Sequence, residues 1–107
     1  MGYRAHAYKK RIVEYDSGNF NWQKEELEKF ISENTKQSYF NDDFWEIKVE
    51  EMKNVVRLMK INRKPEDRVI ADYTAKEAID IFQGWIDMVK NNPENYSDPE
   101  WIAIEWY

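Results

Sequence analysis

Trp101-Ile102-Ala103-Ile104-Glu105-Trp106-Tyr107 alternates strictly between two faces. Ile102, Ile104 and Trp106 fall on one side; Trp101, Ala103, Glu105 and Tyr107 fall on the other. That period of two predicts a β-strand running to the last residue. Chain ends usually fray, but two tryptophans and two isoleucines are costly to leave in water. The stretch therefore reads as part of the folded core, which sets up a sheet that the helical segments must cover.

Upstream, residues 3–15 open on Tyr3-Arg4-Ala5-His6-Ala7-Tyr8, again alternating, and predict one strand or two short ones. The cluster Asp16-Ser17-Gly18-Asn19 predicts a turn. A helix is expected over 21–34, with Asn21 as N-cap and Leu27, Phe30 and Ile31 at i, i+3 and i+4. Residues 35–43 are polar and read as a loop. Residues 44–49 fit either a strand, with Trp45, Ile47 and Val49 on one face, or a helix start, with Trp45, Val49, Met52, Val56 and Met59 in one stripe. Local alternation and β-branched content favour a short strand to 48, then a helix over 49–61. The segment 62–72 reads as a charged connector containing Pro65.

The best-signalled helix follows. Thr74 and Glu77 have capping-box spacing, and Ala78, Ile79, Phe82, Trp85, Ile86 and Val89 build a broad apolar face. Asn91-Asn92-Pro93 stops it, and Tyr96-Ser97-Asp98-Pro99 turns into the final strand. The order β-α-β-α-α-β predicts an α+β fold: a small, mainly antiparallel sheet of two to four strands, with about three helices packed on one face. Residues 1–107 read as a single domain. The first and last strands are expected to be neighbours. Residues 1–11 carry a charge of +4 and residues 91–107 a charge of −4, which suits complementary cross-strand pairs; a basic edge offered to a partner is the competing reading.

Composition narrows the function classes. The net charge of −5 argues against direct nucleic-acid binding, which needs a basic footprint. The opening segment does not read as a signal peptide, and no stretch approaches the ~18 apolar residues of a membrane span. Gly2 is followed by His6 where a myristoylation motif needs Ser or Thr. The absence of cysteine fits a cytoplasmic setting. His6 is the single histidine and lies between two alanines, without a local nucleophile or orienting group. Asp42-Asp43 and Asp98/Glu100 are the obvious carboxylate groupings, but in so acidic a chain pairs arise by chance, and Asp43 and Asp98 read more simply as turn or cap residues. Three scattered glycines form no phosphate loop. No catalytic, metal or cofactor residue is therefore nominated.

The aromatics are the outlier: five Trp, seven Tyr and five Phe in 107 residues. A core of this size hides only part of them, so some should face outward as interface anchors. Tyr15, Trp22, Tyr39 and Trp101 are the candidates for protein contact. Met52 and Met59, beside Val55, Val56 and Leu58, read as core at helical spacing. Gly84 interrupts a strong helix on its polar side, where close backbone approach is one of its uses.

The opening Met1-Gly2-Tyr3-Arg4, the turn Tyr15-Asp16-Ser17-Gly18-Asn19-Phe20-Asn21 and the ending Ile104-Glu105-Trp106 resemble small uncharacterised proteins of phages and prophages of low-GC Gram-positive bacteria. The resemblance covers mainly the two ends and transfers no activity or site residue. It implies a small phage accessory protein. The expectation is a non-enzymatic module that binds another protein, either a host factor such as a defence or nucleic-acid-handling protein, or a second copy of itself as a homodimer. A self-associating scaffold using the edge strand 3–8 is the alternative, and a small-ligand binder using aromatic stacking is a third.

Overall fold

In the computed structural model the described residues are Phe20, residues 23–91 and residues 100–106. Helix α1 (Lys24–Asn34) begins after Gln23, whose side chain makes no capping bond. The expected cap at Asn21 is corrected: the helix starts at Lys24, so the capping position falls to Gln23. Glu25 and Glu26 occupy the first turn, where the helix dipole favours anions. Leu27 and Ile31, one turn apart, carry the buried side.

Strands β1 (Ser38–Asn41) and β2 (Phe44–Lys48) form an antiparallel hairpin. The expected loop over 35–43 is thus corrected: four of its residues are a strand. Its polar ends hide the signal, and pairing with β2 supplies what local propensity does not. Asp42 and Asp43 make the connecting turn, and Asp42 takes a positive φ of 50°, which Asp tolerates. Both aspartates therefore serve the turn, as their sequence context suggests.

Helix α2 (Val49–Asn62) starts directly where β2 ends, resolving the strand-or-helix ambiguity of 44–49 as expected. The expected connector 62–72 is corrected in part: it contains a strand, β3 (Arg68–Ile70), which pairs with β4 (Tyr73–Thr74) just beyond it in a second short hairpin. Helix α3 (Ala75–Asn91) follows. Its capping box is reciprocal. The Thr74 backbone N–H donates to Glu77 Oε1 at 2.9 Å, and the Glu77 N–H donates to Thr74 Oγ1 at 3.2 Å. Strand β5 (Trp101–Glu105) closes the described chain.

The main sheet has the order β1-β2-β5 and is antiparallel throughout, with Trp45 opposite Ile104 and Ile47 opposite Ile102. The fold is α+β, as predicted. The expected neighbour of β5, residues 3–8, and the charge complementarity of residues 1–11 lie outside the described residues. On its other side β5 pairs with β2.

Alternation sends Trp45, Ile47 and Ile102 into the core, with Phe40, Ile104 and Trp106 packed against it. Helices α2 and α3 pack on each other over this inner face; Met52, Val55, Val56 and Met59 of α2 meet Ala78, Phe82, Trp85, Ile86 and Val89 of α3 in one cluster. Met52 and Met59 are core residues, as expected. Leu58 is not: it is 42% exposed.

Rings organise the core into two groups. Phe20 sits 4.7 Å from Tyr73 and 5.5 Å from Phe82, whose ring is in turn 5.5 Å from Trp85. Trp45 lies edge-on to Phe40 at 4.9 Å and to Trp106 at 5.3 Å. Among the described residues, no helix is long and apolar enough to cross a membrane.

Two stability effects follow. Thr74→Ala removes half of the capping box and should cost about 1 kcal/mol in denaturant unfolding. Ala71 turns the β3–β4 corner at φ 49°, where a Cβ is disfavoured. Ala71→Gly should therefore raise stability by about 0.5–1 kcal/mol, although glycine has the more flexible unfolded chain; a loss would show that this corner is not strained.

Candidate functional site

The side of the sheet that faces away from the core carries Tyr39 and Asn41 from β1, Phe44, Glu46 and Lys48 from β2, and Trp101, Ala103 and Glu105 from β5. These are the alternate members of each strand that point away from the core, so the register that buries Trp45 and Ile47 also places them.

Tyr39 and Trp101 come together here. They belong to the two outer strands and sit diagonally across β2, yet their ring centroids are 5.5 Å apart, tilted by 39°. Adjacent strands lie roughly 4.8 Å apart, so the rings must lean inward over β2 to meet. Ala103, opposite Glu46, is small enough to leave room for this. The Lys48 ammonium stands over the Trp101 ring, 5.9 Å from its centroid, a cation–π distance. Lys48 and Glu46 are half-buried in consequence of this cover, whereas Tyr39 remains 54% exposed. Of the described rings, Tyr39 is the one that is fully on the surface. Eight of the other ten described rings lie in the core or pack against it.

Of the four nominated aromatics, Tyr39 and Trp101 form this pair; Tyr15 and Trp22 lie outside the described residues, as do His6, Asp98 and the edge strand 3–8 of the scaffold reading. Gly84 is half-buried within α3. Lys48 was missed by sequence reading. Its signal was its place in an alternating strand, out of phase with Trp45 and Ile47.

Next to this face, a cleft of about 350 Å³ lies between the start of α2 and the end of α3. Lys48, Lys53 and Lys90 line it with Glu50 and Glu100. Lys53 Nζ is 3.3 Å from Glu50, and a backbone bond from the Val49 N–H to the Glu100 carbonyl, at 2.9 Å, joins the start of α2 to the residue before β5. None of the described residues that line it carries a ring. Among the described residues, no group of three or more His, Asp or Glu could hold a metal ion.

The site therefore presents an exposed tyrosine held against a tryptophan, with a cation and carboxylates beside them. Comparison with protein-family models, with curated proteins and with solved structures gives no match for this chain.

Proposed function

We propose that this chain is a non-enzymatic protein-binding module that grips its partner through the outward sheet face around Tyr39 and Trp101. The observation that carries this reading is the exposed Tyr39 ring held against Trp101. A tyrosine already packed on a tryptophan loses little rotamer freedom on binding, and such rigid amphipathic rings are the residues that anchor protein interfaces. Lys48 and Glu46 beside them supply polar specificity at the rim of the same patch.

The absence of catalysis in this reading rests on the sequence, which has one histidine, no cysteine and three dispersed glycines. The phage-accessory role, the cytoplasmic setting and a host defence or nucleic-acid-handling protein as partner enter the proposal from composition and from the resemblance of the two ends. A self-associating scaffold is the second reading; the same exposed ring pair would serve a two-fold interface, in which one patch meets its own copy.

Immobilised full-length chain should retain a specific protein from host lysate, and Tyr39→Ala should weaken that complex by about tenfold or more, the scale of an interface hot spot. Trp101→Phe should weaken it less. A complex indifferent to Tyr39→Ala would remove this face from the binding site. Light scattering on the same variants separates the second reading, because a concentration-dependent dimer lost with Tyr39→Ala would assign the face to self-association.

A further inference from the structure

The outer side of α2 carries a second, unlike surface. Residues 52–65 contain Lys53, Arg57, Lys60, Arg63 and Lys64 and no acidic residue, in a chain whose net charge is −5. On a helix, Lys53, Arg57 and Lys60 stand at i, i+4 and i+7 and form one row. Asn54, Leu58 and Ile61 have the same spacing and form a second row beside it. All six are exposed, and Leu58 and Ile61 expose 42% and 66% of their surface. The opposite side of α2, with Met52, Val55, Val56 and Met59, is buried in the core. Among the described residues, neither outer row belongs to the packed core.

The charges are poorly answered from within. Lys53 pairs with Glu50, and Arg57 donates to the Asn54 side chain. None of the ion pairs between described residues involves Arg57, Lys60, Arg63 or Lys64. The dipole of α2 favours cations in its last turn, which accounts for Lys60 and its neighbours. It does not account for Lys53 near the start of α2 or for two aliphatic side chains left in water.

We infer that this face of α2 docks an acidic amphipathic helix of another protein, with carboxylates at i, i+4 and i+7 beside a row of aliphatic side chains. The cationic row spans roughly 10.5 Å along the axis, a distance that a second helix repeats at the same spacing. Nucleic acid would take up the cations but leave Leu58 and Ile61 in water, and neither row carries a ring on which a base could stack. An anionic membrane is a plane, and would also meet the remainder of the molecule, which carries −10 once the +5 of residues 52–65 is set aside; repulsion acts within a Debye length of about 8 Å. A single helix touches the stripe alone. A second copy offers acids on α1 at Glu25, Glu26, Glu28 and Glu33, but among the described residues the exposed large aliphatics are Leu58 and Ile61 themselves, on the like-charged helix. The inference does not rest on the sheet-face reading, since α2 packs against the inner side of that sheet.

The test uses the full chain and a labelled synthetic helical peptide of about three heptads, with Glu at i, i+4 and i+7 and Leu alongside, measured by fluorescence anisotropy. It should bind at least about tenfold tighter than its Glu→Gln counterpart, and less tightly as salt rises. R57E/K60E should weaken binding by about tenfold or more and L58S/I61S by about threefold or more, while Tyr39→Ala leaves it unchanged. R57Q/K60Q, a milder pair, stands in if charge reversal lowers the melting temperature. Equal affinity for the Glu and Gln peptides, or indifference to both charge variants, overturns the inference. So does tighter binding to phosphatidylserine vesicles or to duplex DNA than to the peptide, or a self-associated species that R57E/K60E dissolves.

Discussion

Strand β2 is hydrogen-bonded on both sides, to β1 and to β5, and its inner residues Trp45 and Ile47 are fully buried. That register is the constraint on which the rest depends. A slip of one residue would turn Trp45 and Ile47 to water and push Phe44, Glu46 and Lys48 into the core. Burying a lysine and a glutamate without partners costs far more than any contact at the surface returns. The indole N–H of Trp45, which reaches the Asp42 carbonyl at 3.2 Å, ties the same register to the hairpin turn. At the other end, the Asp43 carbonyl accepts the Trp106 N–H at 2.7 Å, so the turn also holds the end of β5.

The candidate binding face is the other side of this same decision. Once Trp45 and Ile47 point inward, Glu46 and Lys48 must point outward, and with them Tyr39 and Trp101. Their rings then close over β2, which lies between them in the sheet. A stable core and an aromatic grip thus come from one alternating pattern, and a change that loosened the register would lose both.

Surface ion pairs add little to this. Lys24–Asp43, Arg68–Asp72 and Lys76–Asp80 are exposed on one side or both, and pairs of that kind contribute under about 1 kcal/mol each. The distribution of charge matters more for recognition than for stability. An acidic molecule with five cations and no acid on residues 52–65 has gathered positive charge on one stretch of its surface, and such a patch steers encounter and selects partners by sign.

Much of the framework is written in local pattern. The period of two at Trp101–Glu105 and the period near 3.6 with the Thr74–Glu77 box at α3 are strong because each buries a whole face, so every second or every third and fourth residue must agree. The passage from β2 into α2 at Val49 was likewise legible. Strands β1, β3 and β4 were not: at two to four residues they are too short for a period, and they exist because a partner strand pairs with them. Tyr39 and Trp101 could be nominated singly as surplus rings. Their meeting across β2, with Lys48 over the Trp101 ring, depends on strand order, which no local signal encodes. The stripe of Met52, Val56 and Met59 marked the buried side of α2 in advance; that Leu58, which lies off that stripe, stays in water follows from how the helix packs on its neighbours.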